Sequence, residues 1–162
     1  MIYIKINNLK DFTAKLLAGT TFDQLELVEA QIMTHSTFSI NGKTNEAFFD
    51  DSADTRKNTY NKWSLLRPIC YEIIKGRSLP TFFKIVMRMD ESFVQKITSQ
   101  TEGYTGTDID GLFINIRYEN GALSITTGTS LKTFTLDKTL EKNYDRFILD
   151  YLEQNSIDFS IC

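Results

Sequence analysis

The sequence predicts an α+β protein, a mainly antiparallel curved sheet with helices on one side. Three observations carry that reading. Runs of period-two alternation recur along the chain, MIYIKI and TFFKIVMRM among them, and such alternation marks strands with one buried face. Between them lie runs with apolar residues every three or four positions, the mark of amphipathic helices. Two Asn-Gly pairs, Asn41-Gly42 and Asn120-Gly121, sit between alternating runs, where a tight hairpin turn needs two residues of positive φ. With 162 residues and 41% hydrophobic content, the chain can bury about two-thirds of its unfolded surface.

The elements follow in order. Ile2, Ile4 and Ile6 alternate with Tyr3 and Lys5 to give a first strand. Asn8 caps a helix whose Leu9, Phe12, Leu16 and Leu17 share a face, with Gly19 beyond its end. Residues 25–40 read as one strand, in which Leu25, Leu27 and Glu29 oppose Glu26, Val28 and Ala30. Asn41-Gly42 turns it into a return strand over 43–49, and the polar stretch 50–61 is a loop. Trp63, Leu66, Cys70, Ile73 and Ile74 have helical spacing before Gly76, with Pro68 predicting a kink or a helix that begins near it. After Leu79-Pro80 comes a strand over 81–89, and Asp90 caps a short helix with Phe93, Val94 and Ile97 inward. A Gly- and Asp-rich loop leads to a hairpin about Asn120-Gly121, then to a further strand over 131–136. Asp137 opens a helix to Gln154 that presents Leu140, Tyr144, Phe147, Ile148, Tyr151 and Leu152, and 157–161 is a last short strand.

Read as a series, β-α-β-β-β-α occurs twice, over about 1–81 and 82–162, in one domain whose halves need each other's core. At an offset of 81, Ile4 meets Ile85, Phe12 meets Phe93 and Trp63 meets Tyr144. The element order resembles the duplicated saddle of the TATA-binding protein and, as an alternative, the repeat of DNA sliding clamps. The segments LVEAQIMTHSTFSINGK and WSLLRPICYEIIKGRSLPTFFKIV resemble an uncharacterised family of small cytoplasmic proteins from clostridial bacteria, a resemblance that implies no activity.

Formal net charge is -3, which disfavours general nucleic-acid binding by the molecule as a whole. The charge is uneven. Residues 55–89 hold eight basic residues (Arg56, Lys57, Lys62, Arg67, Lys75, Arg77, Lys84, Arg88) and one acid, Glu72, for +7, while the rest holds 10 bases and 20 acids, for -10. These eight are candidate contacts for an anion, a phosphate backbone or an acidic partner. The simpler expectation is that they are distributed over several elements as ordinary surface.

Several chemistries are set aside. Two cysteines and one histidine fall short of the four Cys or His ligands a structural zinc site normally takes, and a disulfide is not expected in a core-rich chain read without a secretion signal. Gly103, Gly106 and Gly111 have no strand before and helix after them, so no phosphate loop and no cofactor are expected. Asp108 and Asp110, with Glu102 nearby, are the cluster most like a cation site, but a solvated acidic loop is the simpler reading. A Cys70–His35 dyad is disfavoured because Cys70 falls on the buried helix face. Asp50 and Asp51 are adjacent and point apart, so they do not form a catalytic pair. Phe48-Phe49 and Phe82-Phe83 place rings on both faces of their strands, either as packing or as an exposed aromatic stripe.

No catalytic residue is singled out. The leading expectation is a cytoplasmic, non-enzymatic binding or adaptor protein whose partner is a macromolecule, without membrane association. The alternatives are a nucleic-acid-associated protein using the 55–89 basic residues and, last, an enzyme with an unrecognised site.

Overall fold

The computed structural model describes residues 1–49 and 59–162. Its strands are β1 (Tyr3–Ile6), β2 (Glu26–Met33), β3 (Thr37–Asn41), β4 (Phe82–Arg88), β5 (Ile109–Glu119), β6 (Ala122–Leu131) and β7 (Phe159–Ile161). They form one antiparallel sheet in the order β3-β2-β4-β5-β6-β1-β7. Four helices, α1 (Leu9–Leu17), α2 (Trp63–Ile74), α3 (Glu91–Ser99) and α4 (Thr139–Gln154), lie on one side of this open sheet. Their packing follows from parity. Ile4 and Ile6, Phe83, Ile85 and Met87, Ile114 and Ile116, and Leu123 and Ile125 are buried toward the helices, while Tyr3, Lys5, Lys84, Arg117 and Ser124 point to the bare face. Phe12, Leu16, Trp63, Tyr144, Ile148 and Leu152 complete a continuous core from the helical side.

The caps read from the sequence are present. Asn8 accepts from the Asp11 N–H and Asp90 from the Phe93 N–H, which satisfies amides that helices leave free at their starts. Asp137 Oδ1 accepts from the Thr139 N–H at the entry to α4. At the β5–β6 hairpin both central residues have positive φ, Asn120 at 55° and Gly121 at 75°, as the sequence predicts.

Other local expectations are corrected. Residues 25–40 are two strands, because the chain reverses at Thr34–Ser36 and β3 pairs back along β2. Asn41-Gly42 is therefore no hairpin turn; Gly42 instead lies so close to Leu27 that a Cβ would stand 1.8 Å from its carbonyl oxygen. The return strand over 43–49 is absent apart from a single bridge of Lys43 to Tyr60, and Glu46–Phe48 is a 3₁₀ turn. Nor do residues 132–136 form a strand: β1 and β5 occupy the two sides of β6, and Phe134 and Leu136 are exposed. Pro68 sits inside α2, which begins at Trp63. Each half of the chain thus runs β-α-β-β-α, with β7 added at the end. The sheet does not repeat that series, since β4 lies between β2 and β5 while its counterpart β1 lies between β6 and β7.

Candidate functional site

The basic residues of 55–89 are distributed over three regions of the molecule. Arg56 and Lys57, like Asp50 and Asp51, lie outside the described residues. Lys62 Nζ donates to the Gln24 carbonyl at 2.9 Å and stands 3.3 Å from Asp90, and Arg67 is held by both carboxylate oxygens of Asp23 at 2.8 and 3.2 Å. Both therefore brace the helical side. Lys75 pairs with Glu72 at the end of α2, and Arg77 is exposed just beyond it. Lys84 and Arg88 belong to β4. Lys84 lies on the bare face, where it meets Glu29 at 3.1 Å and falls in one cross-strand row with Arg117, Ser124 and Lys5. Phe82 shares that face beneath the Arg117 guanidinium, 5.2 Å from its ring centre, whereas Phe83 is buried and stacks on Tyr118. Phe48 and Phe49 pack edge to face, with Phe48 exposed.

The loop acids do local structural work. Asp108 accepts from the Thr105 N–H and closes a 3₁₀ capping box. Asp110 offers its backbone carbonyl to Arg88 at 2.9 Å. Among the described residues, no group of three or more His, Cys, Asp or Glu side chains is placed to hold a metal ion. Cys70 is fully buried, and burial pushes its thiol up to about 11. His35 stands exposed in the β2–β3 turn with Nδ1 against Ser36 Oγ at 3.0 Å. The buried Cys70 thiol therefore lacks the thiolate character a nucleophile needs.

Two surfaces carry features of a binding site. The first is α2 itself. Apart from Ser64, Arg67 and Glu72 this helix is apolar or aromatic. Trp63 and Cys70 face the core, yet Leu65 and Ile69 on the outer side are 59% and 51% exposed. A helix that is hydrophobic all round is normally covered all round. Along one flank α2 and α1 bound a groove of about 600 Å³ walled by Leu9, Leu17, Tyr71, Ile74 and Leu79 and floored by Phe83 and Tyr118. Among the described residues, the charged side chains lining it are Lys10 and Lys75. Leu79, 76% exposed, extends the apolar surface at the groove end.

The second surface is a cleft of about 460 Å³ at the start of β2 and α3, lined by Glu26, Arg88, Glu91, Gln95 and Asp110 among others. Glu26 is only 7% exposed, and burial raises its carboxyl above the ordinary range, against the opposing pull of Arg88 and Lys62. Sequence reasoning misses it. Strict alternation puts Glu26 opposite Leu25 and Leu27, and its pairing with Arg88 keeps it there, but Lys62, Asp90, Glu91 and Gln95 gather around the start of β2 and bury it on that side as well. No single-sequence signal marks neighbours brought in from α2, β4 and α3.

A model described as a family of unknown function, DUF5721, matches residues 15–160. The chain belongs to the DUF5721 family. No curated protein and no solved structure matches it. The DUF5721 match includes all of α2 and the Glu26 cleft and omits β1 and the first part of α1. Among the described residues, no helix is long and apolar enough to cross a membrane.

Proposed function

We propose that this protein is a cytoplasmic, non-enzymatic adaptor that docks a protein segment carrying apolar and acidic side chains along α2. The single observation behind this reading is the exposure of Leu65, Ile69, Tyr71 and Leu79 on and beside a helix that is also apolar within the core. Burying such side chains contributes roughly 25 cal/mol per Å² of apolar surface removed from water. Charge favours an acidic rim on the partner: Lys10 and Lys75 line the groove, Lys75 also pairing with Glu72, and Arg77 is exposed just beyond Lys75. The groove has an apolar floor of Phe83 and Tyr118 and, among the described residues, only Lys10, Thr13 and Lys75 as polar lining side chains besides Tyr71 and Tyr118, which favours docking over chemistry.

The nucleic-acid alternative draws less support from the same geometry. Lys62 and Arg67 are engaged by Asp90 and Asp23 on the helical side, while Lys84 lies on the bare sheet face. A phosphate backbone would need these charges to follow one path.

A photo-crosslinking amino acid placed at Ile69 or Leu79 in cells tests the docking reading. The expected result is one acidic protein captured from both positions, lost when Leu65 is changed to Glu, with no adduct from a probe at Ser124 on the bare face. Equal capture from Ser124, or none from Ile69 and Leu79, overturns it. Gel retardation of single- or double-stranded DNA at low salt, abolished by salt, would favour the alternative.

A further inference from the structure

The Glu26 cleft supports an inference independent of the α2 reading. Glu26 and Arg88 are cross-strand partners in the β2–β4 register, opposite charges on neighbouring side chains, an arrangement that usually closes into an ion pair. Here they do not pair. Arg88 is drawn aside, donating through Nη2 to the Asp110 carbonyl at 2.9 Å and lying 5.7 Å from the centre of the Tyr60 ring. Lys62, the other cation near Glu26, is taken up by the Gln24 carbonyl and Asp90. Among the described residues the Glu26 side chain therefore has no hydrogen-bond or ion-pair partner, although Glu26 is more than nine-tenths buried.

A buried carboxylate without a partner is costly, and cost of this kind persists where a ligand meets it. The cleft beside Glu26, at about 460 Å³, is of ligand size. A simple cation is a poor match, because the Arg88 guanidinium stands next to the carboxylate it would approach. A simple anion is equally poor, because Glu26, Glu91 and Asp110 line the same space. A group that is positive at one end and negative at the other satisfies both. Glu91 and Asp110 further disfavour a ligand with additional negative charge.

We propose that this cleft binds a free α-amino acid with a neutral or basic side chain, its ammonium group on the Glu26 carboxylate and its carboxylate on the Arg88 guanidinium. Arg88 retains free N–H donors after its single bond to Asp110, and a guanidinium suits a carboxylate by geometry as well as charge. Gln95 and the Thr107 side chain line the same wall and supply neutral polar contacts.

Isothermal titration and thermal melting of the full chain test this, with L-lysine, L-alanine and L-glutamate as probes and Nα-acetyl-L-lysine and L-lysine amide as blocked forms. The expected result is one site per chain for L-lysine, a raised melting temperature, and weaker or no binding of L-glutamate. Blocking either end of L-lysine should weaken binding by about tenfold or more, the loss of one charge-assisted contact. Glu26→Gln and Arg88→Gln should each produce the same loss, with circular dichroism confirming that both variants are folded. Absence of binding by both L-lysine and L-alanine overturns the proposal. So does retained affinity in folded Glu26→Gln, or a response confined to calcium or magnesium. None of these outcomes bears on crosslinking at Ile69, so the two readings fail separately.

Discussion

The two cysteines differ in environment more than in chemistry. Cys70 is fully buried with its thiol pushed up to about 11, whereas Cys162 is exposed. An aromatic disulfide reagent should therefore titrate one thiol per native chain at neutral pH and two after unfolding; two fast thiols in the native state would contradict the buried position of Cys70. Glu26 and Asp90 are neighbouring acids with opposite shifts. For Asp90, burial pushes the carboxyl up, but the Phe93 N–H, Gln24, Ser92 and Lys62 together outweigh it and hold the value below the ordinary one. Its stabilisation is thus present above the unfolded pKa of about 3.9 and lost as pH falls through the folded value. Glu26, raised by burial, works against folding above its folded pKa and ceases to do so below the unfolded one. Glu26→Gln should accordingly increase resistance to urea at pH 7, with the gain vanishing near pH 3, and Asp90→Asn should keep the cap but flatten the acid-side loss. A Glu26→Gln chain less stable at neutral pH than the parent would show that Glu26 has a stabilising partner.

At the scale of elements, one dipeptide takes two conformations. Asn120-Gly121 joins β5 to β6 with positive φ at both residues, and a Cβ on Gly121 would meet nothing within 4 Å. Gly42 has no positive φ; it is required because the Leu27 backbone approaches it, with its N–H donating to the Val28 carbonyl at 2.9 Å. Gly121→Ala should cost about 1–2 kcal/mol, the strain of one left-handed residue. Gly42→Ala meets backbone rather than open space and should cost more, beyond about 2 kcal/mol, toward the severe end of single substitutions. Urea denaturation of the two variants side by side decides it, and a Gly42→Ala cost no larger than that of Gly121→Ala would sink the close-approach argument. This pair also shows what was legible in the sequence. Helix faces and caps are written locally, so Asn8, Asp90 and the Leu140–Leu152 stripe could be read directly. Whether Asn-Gly turns a hairpin or lies against a neighbouring strand depends on what approaches it from elsewhere in the chain. The same limit hid Glu26, whose burial depends on neighbours brought from the start of α2 and from β4 and α3, and it separated the 55–89 basic residues, whose sequence proximity spans two faces of one sheet.

At the scale of the whole molecule, strand order decides how far the two halves depend on each other. In the first half, β2 and β3 pair with each other, but β1 pairs only with β6 and β7, and the central side of β2 is taken by β4. In the second half, β4, β5 and β6 form a contiguous meander that α3 and α4 can cover, while β7 pairs, among the described residues, with β1 alone. The termini add to this interlock: the Met1 amino group pairs with Glu141 and Asp145 of α4, and the Tyr151 hydroxyl donates to the Thr21 carbonyl. A fragment of 1–81 thus loses the pairing of a whole strand and one side of another, and about 80 residues offer little core to compensate. Expressed alone, 1–81 should lack cooperative unfolding by circular dichroism, and 82–162 should retain strand content with reduced stability because β4 and β6 both become edges. Mixed at equal concentration, the fragments should recover the parent spectrum and migrate as a one-to-one complex. Independent cooperative folding of 1–81 would mean that β1 finds a partner within its own half, contrary to the order β3-β2-β4-β5-β6-β1-β7.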